Sequence, residues 1–183
     1  MIIPWTLAVL TSMAATATPV QSPCPALAQM DVSQRLLLVR CIPIGAKPAD
    51  VARFVPGFET SLYGGISTLY VGATRTEILG HQVALRFNFT ADSLYAMFFD
   101  ADLPAAEGDS LFDQVTAFYS KRYGPPRICD GQDDPYFIKD RQWCTDEYEV
   151  GASCSLAGDR RMVGWGFQTP TVACSRPSPP KRN

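Results

Sequence analysis

The stretch HQVALRFNFTADSLYAMFFDAD, residues 81–102, most constrains the fold because it carries two different strand patterns in succession. Residues 81–90 alternate apolar and polar side chains, which is the period of a strand with one buried and one wet face. Residues 94–99 are apolar at every position, so the second strand presents apolar side chains on both faces. Its extra apolar face must be covered by more of this chain or by a partner.

The turn between these strands decides which side chains share a face. A two-residue turn pairs Phe89 with Leu94, whereas a three-residue turn places the odd-numbered side chains of residues 95–99 on the inner face. Because Ala91-Asp92 lacks the Gly or Asn of tight hairpins, the sequence favours the longer loop. Either register leaves a second apolar stripe.

That second stripe supplies a candidate binding patch. Residues 163–167, VGWGF, alternate large apolar side chains with glycines, which leave the backbone open to close approach. Aromatic residues and methionine are enriched in interaction surfaces. The alternative is that both strands are central and their apolar side chains belong to the core. The candidate patch consists of Tyr95, Met97, Phe99 and Trp165.

Helix signals lie before and after the strands. Pro48 suits the first turn of a short helix that stops at Pro56-Gly57. Asp109-Ser110 supplies an N-cap for a longer helix, whose apolar side chains recur at helical spacing. The order helix, strands, helix, strands predicts an α+β fold, in which an antiparallel sheet has one main amphipathic helix and one short helix packed on a face, with disulfide stabilisation.

Three further segments have readable patterns. Residues 34–42, QRLLLVRCI, are strand-like, with a short helix as the alternative. Residues 130–141 have the composition of an exposed loop. Residues 147–156 and 161–167 predict a hairpin around Ala157-Gly158-Asp159-Arg160.

The N-terminus predicts export. Residues 1–30 carry no charged side chain, and a short apolar run is followed by the small-x-small pattern of Ala15-Thr16-Ala17. The run is too short to span a bilayer. The alternative is an apolar tail on a cytosolic protein. We expect a secreted or periplasmic protein with a signal peptide at 1–17, an extended segment at 18–33, one domain at 34–174 and a disordered tail at 175–183.

The cysteines agree with export, because they are even in number and all follow Ala17. They predict up to three disulfides, and proximity favours Cys24 with Cys41. The alternative is that all of them are buried thiols. Close cysteine pairs of the kind that bind zinc do not occur in the sequence. The disulfide candidates are Cys24, Cys41, Cys129, Cys144, Cys154 and Cys174.

Composition and motifs point away from catalysis. The formal charge of −2 and the lack of a basic patch argue against nucleic-acid binding. His81 is the single histidine, no nucleophile-elbow or nucleotide motif occurs, and the acidic residues lack calcium-loop spacing. We therefore predict no catalytic residue, metal or cofactor, and an exported binding protein whose partner is an unknown protein or apolar ligand. The alternative is a small secreted hydrolase that uses carboxylates such as Asp100 and Asp102.

The segment IGAKPADVARFVPG, the strands after it and a helix that ends in YGPP resemble small exported bacterial α+β proteins. The outer-membrane assembly lipoproteins and the β-lactamase-inhibitor proteins are of this kind, and the resemblance covers roughly residues 40–168. It implies protein binding in an envelope or extracellular setting and transfers no catalytic residue. Gln21-Ser22-Pro23 precedes Cys24 where a lipoprotein has small apolar residues, so a lipid anchor is not implied.

Overall fold

The computed structural model describes residues 24–62, 69–129 and 137–171. The expected signal peptide, the expected disordered tail and Cys174 lie outside these residues. The described elements are two 3₁₀ turns at Leu27–Gln29 and Leu38–Arg40, helices α1 Val32–Leu36, α2 Pro48–Phe54 and α3 Ala105–Tyr123, and strands β1 Thr60–Leu62, β2 Leu69–Ile78, β3 His81–Thr90, β4 Ser93–Pro104, β5 Arg127–Ile128, β6 Phe137–Cys144, β7 Glu149–Ala157 and β8 Arg160–Gln168.

Within the described residues, the strands form one antiparallel sheet in the order β1-β2-β3-β4-β8-β7-β6-β5. Each half of the chain contributes a meander, and α3 carries the chain from β4 to the far edge at β5. The two meanders meet where β4 pairs with β8. The α+β class and the antiparallel sheet are therefore confirmed, with the sheet as the dominant part.

All three helices contribute to one hydrophobic core on one face of the sheet. α3 packs on β4, β6, β7 and β8, and its buried side chains include Leu111, Phe112, Val115 and Tyr119. The Tyr119 hydroxyl donates a 2.8 Å hydrogen bond to the Leu36 carbonyl and so ties α3 to α1. Burial, with the neighbouring Tyr123 and Tyr148, raises the pKa of Tyr119.

The β3–β4 connection differs from the expected longer loop. Thr90 pairs with Ser93, so the turn has two residues, and Ala91 takes the left-handed conformation with φ 52°. A register shift then follows the pair Phe89–Leu94. Because of this bulge, Leu94 and the odd-numbered residues 97 and 99 are all buried in the core.

The N-terminal segment also differs from the strand pattern, and the helical alternative is the one observed. Asp31 and Gln34 form a capping box at the start of α1. Gly45 donates to the Leu94 carbonyl, and Leu94 donates to the Ala46 carbonyl, so the chain before α2 pairs with the start of β4.

The main helix begins earlier than expected. α3 starts at Ala105, with Pro104 as its N-cap residue, so Asp109 lies one turn inside it. Asp109 there forms an ion pair with Lys139 at 3.1 Å. In the segment expected as a loop, residues 137–141 belong to β6, while 130–136 lie outside the described residues. The predicted hairpin is β7 and β8, joined by the turn Gly158-Asp159.

Candidate functional site

The face of the sheet opposite the helices holds a cleft of about 360 Å³. Side chains alternate between the two faces of each strand, so most of the residues that line the cleft are ones that the core does not use; Ala152 and Trp165 line it and also belong to the core. We call it the open-face cleft. Five strands contribute to its lining: β3 with Arg86, β4 with Phe98 and Asp100, β6 with Phe137, Asp140 and Gln142, β7 with residues 149 and 151–153, and β8 with residues 164–166 and 168.

The floor of the open-face cleft is a cross-strand row with two adjacent glycines. Gly151 of β7 lies directly opposite Gly166 of β8. Phe98 of β4 flanks Gly166 on one side, and Gln142 of β6 flanks Gly151 on the other. Since neither glycine has a side chain, the centre of the row is bare backbone.

Packing requires glycine at one of these two positions and not at the other. A Cβ on Gly166 would collide with the Met97 carbonyl oxygen, and it would lie 2.9 Å from Cδ1 of Phe98. Packing therefore requires glycine at 166. A Cβ on Gly151 would meet no atom within 4 Å. Glycine weakens a strand interior, and a larger side chain would fit at 151. The packing of the described residues therefore does not explain why this position is glycine.

Alanine substitutions should separate the two glycines. Gly151→Ala is expected to raise the free energy of unfolding by about 0.4–1 kcal/mol, because it only restricts the unfolded chain. Gly166→Ala should lower it by about 1–3 kcal/mol, because the new methyl group is overpacked against backbone. Urea denaturation of both variants measures the difference. Equal midpoints would show that the two positions have the same surroundings.

The walls of the open-face cleft carry charge. Nε of Arg86 lies 2.8 Å from Oδ2 of Asp100, and both side chains are partly exposed. Glu149 is only 3% exposed, and its carboxylate accepts hydrogen bonds from the amide and the hydroxyl of Thr171. Asp140 lies on β6, opposite Ser153 of β7. The lining thus combines one arginine with three carboxylates.

The candidate patch of Tyr95, Met97, Phe99 and Trp165 is not a surface, which corrects our expectation. Met97 and Phe99 are 0% exposed and Trp165 is 1% exposed. The Phe99 and Trp165 rings stack at 5.4 Å between the sheet and the helices. Tyr95 is half-buried at the bulge, and its carbonyl accepts a hydrogen bond from the Thr169 amide. The alternative that these strands are central and apolar for the core is the one observed.

The cysteines separate into two groups. The Cys24–Cys41 disulfide is present, as proximity predicted, and Cys144 is also disulfide-bonded. Cys154, by contrast, is a fully buried thiol, which corrects its place among the disulfide candidates. Burial and the charge of Asp109 raise the pKa of the Cys154 thiol, so it is a poor nucleophile. Cys129 is buried as well.

The carboxylates of the alternative hydrolase are each bound to an arginine. Asp100 pairs with Arg86, and Asp102 lies 2.6 Å from Nε of Arg160. Both lie on β4, and only Asp100 lines the open-face cleft. The described residues contain no group of three or more His, Cys, Asp or Glu side chains that could hold a metal ion.

A second cleft, of about 520 Å³, lies between the N-terminal helices and β2. Arg35 lines it and donates hydrogen bonds to the carbonyls of Glu77 and, at 3.3 Å, Ala28. This arginine therefore ties the N-terminal segment to the sheet, which gives the second cleft a structural role.

Comparison with protein-family models, with curated proteins and with solved structures found no match to this chain. Among the helices of the described residues, none combines the length and the hydropathy needed to cross a bilayer.

Proposed function

We propose that this chain is an exported, non-catalytic binding protein whose binding surface is the open-face cleft. The observation that carries the proposal is the empty space above Gly151. Packing within the chain does not require this glycine, and it lies at the centre of the cleft. A glycine in such a position lets a bound molecule approach the strand backbone closely. The charged walls favour a polar partner over the apolar ligand that the sequence left open.

Export is supported by the Cys24–Cys41 disulfide, because structural disulfides persist in oxidising compartments and are rare in the cytosol. The pattern of residues 1–17 points the same way. A periplasmic or extracellular location also fits the setting implied by the resemblance to outer-membrane assembly lipoproteins and β-lactamase-inhibitor proteins. That resemblance stays a prediction.

Filling the open-face cleft tests the binding role. Gly151→Phe places a large ring in the empty space, on a strand where aromatic residues are well tolerated. We expect this variant to fold and to lose at least about tenfold in affinity for whatever the native chain captures from envelope extract or culture fluid, since a filled cleft excludes the partner. Quantitative affinity capture followed by titration of the captured molecule measures the loss.

Ala52→Phe is the matched control. Ala52 is exposed on α2, on the helical side of the sheet, so the same ring is added away from the open-face cleft. Capture by this variant should equal that of the native chain. The proposal fails if Gly151→Phe is folded and captures its partner as well as Ala52→Phe does.

A further inference from the structure

We propose that the outer edge of β2, beside the second cleft, binds an extended segment of a partner protein by antiparallel strand addition, with a carboxylate side chain opposite Arg75. This surface is separate from the open-face cleft and does not depend on the proposed function. The inference follows from the direction of the β2 backbone groups, the lining of the second cleft and the charge beside it.

The pairing of β2 with β3 determines which backbone groups of β2 face the outer edge. Both residues of the turn between these strands, at 79–80, have positive φ, as in a tight hairpin. Ile78 and His81, which flank the turn, therefore exchange backbone hydrogen bonds, and such pairs recur at every second residue of an antiparallel ladder. The backbone N–H and C=O groups of the intervening residues Arg75 and Glu77 point away from β3.

The outer edge of β2 is covered before and after Arg75. β1 pairs with residues 70–72. At the other end, Arg35 donates to the Glu77 carbonyl, which agrees with the outward direction of that carbonyl. Between these two points, the backbone N–H and C=O of Arg75 have no hydrogen-bond partner among the described residues. An added antiparallel strand exchanges both bonds with a residue in this position, which is the mode of strand addition.

The second cleft provides space for one side of the added segment. Thr74 and Thr76 lie opposite core residues of β3, so their side chains face the helical side of the sheet. Both threonines line the second cleft, together with Leu27, Val55 and Pro56. In an added strand, the two neighbours of the central residue point to this side. Small apolar side chains such as valine suit these two positions, because the opposite wall of the cleft is apolar.

Charge selects the central side chain of the segment. Arg75 is exposed on the other face of β2 and forms no ion pair within the described part of the chain. Arg35 bonds only to carbonyls, and its Nε is buried without a partner. These two cations and the single carboxylate of Glu77 leave the lining with a net positive charge. Since opposite charges on facing strand positions attract, Asp or Glu is the residue that fits opposite Arg75.

A second copy of β2 fits this edge less well than a short segment. In a symmetric antiparallel pair centred on Thr76, Arg75 of each copy would lie opposite Glu77 of the other, so the charges would match. The Arg35 guanidinium already bonds to the Glu77 carbonyl at that point, however, and the incoming strand would displace it. A segment that ends before Glu77 leaves this bond in place.

Short peptides test strand addition. The probe is the capped peptide Ser-Val-Glu-Val-Ser. One control has Lys in place of Glu, and a second carries an N-methyl group on the Glu amide, which removes the donor to the Arg75 carbonyl. In ¹⁵N spectra of the full chain, the probe should shift the amides of Arg75 and Glu77 and slow hydrogen exchange at Arg75. The Lys peptide should bind about two- to fivefold more weakly, which is the effect of one exposed ion pair, and the N-methyl peptide should cause no shift.

Charge reversal assigns the contact. Arg75→Glu should invert the preference, so that the Lys peptide binds more tightly than the Glu peptide. Lys121→Glu makes the same change of charge at an exposed position of α3, outside the lining of the second cleft, and should leave the preference for the Glu peptide as it is. Gly151→Phe fills the open-face cleft and should also leave peptide binding unchanged, so this variant tests the two surfaces separately.

The inference is overturned if the N-methyl peptide shifts these amides as strongly as the unmodified probe does, or if no peptide shifts them. It is also overturned if the amides of Arg75 and Glu77 shift when the chain alone is diluted, because a second copy would then be the strand that covers the edge. A preference for the Glu peptide that survives Arg75→Glu would contradict the pairing of the carboxylate with Arg75.

Discussion

Replacing Trp165 with alanine is expected to lower the free energy of unfolding by about 3–5 kcal/mol. Trp165 is 1% exposed and stacks on Phe99, so truncation removes a large buried surface and leaves a cavity between the sheet and the helices. Urea denaturation should show a lower midpoint with an unchanged slope, because the surface exposed on unfolding hardly changes.

Met162→Ala is the control on the same strand. Met162 is 50% exposed on the open face, so its truncation should cost no more than about 0.5 kcal/mol. If Trp165→Ala were equally mild, Trp165 could not be a core residue. The practical consequence is that alanine at 99 or 165 would reduce binding by unfolding the protein, which makes these positions unsuitable for locating a partner.

Removing the Cys24–Cys41 disulfide is expected to cost about 3 kcal/mol. The bond closes a loop with a sequence separation of 17 residues, and this loop holds Leu27 and Met30 against the core. The double variant Cys24→Ser with Cys41→Ser, measured by thermal unfolding under oxidising conditions, gives the effect.

The single variant Cys24→Ser should show a similar loss, because either sulfur is sufficient to break the cross-link. A double variant within about 0.5 kcal/mol of the native chain would mean that the unfolded loop is already restricted without the bond. The stabilising role of this disulfide would then be lost, and with it the support that it gives to export.

Much of the fold could be predicted from the sequence wherever one face of an element is buried. The alternation of residues 81–90 predicted β3, and the helical stripe that includes Leu111, Val115 and Tyr119 predicted α3. The register of β4 could not be predicted, because the bulge after Leu94 lies where Leu94 exchanges backbone hydrogen bonds with Gly45 and Ala46, which are distant in the sequence. A strand that is apolar at every position does not reveal which side chains face the core.

Some local signals were present in the sequence and were missed. The spacing of Asp31 and Gln34 is that of a capping box, and it indicates the start of α1 in a segment that otherwise has a strand-like composition. The start of α3 had no such signal, because its N-cap residue Pro104 makes no side-chain cap, and Asp109, the residue with N-cap chemistry, forms an ion pair with Lys139 instead.

The open-face cleft was largely beyond sequence reasoning. Its floor depends on the pairing of Gly151 with Gly166, and its walls come from strands far apart in the chain. Glycines and polar side chains give no periodic signal of their own. The bare positions within VGWGF did predict close approach of other atoms, and at Gly166 those atoms are the Met97 carbonyl and the Phe98 ring.

The pairing of β4 with β8 has a consequence for how the site forms. These central strands come from the two halves of the chain, so their contact closes a long loop and belongs to the slow, non-local part of folding. Because the cleft straddles this seam, neither meander holds it alone. A molecule bound there at about one hundred times its dissociation constant would protect the whole chain from unfolding by about 2.7 kcal/mol.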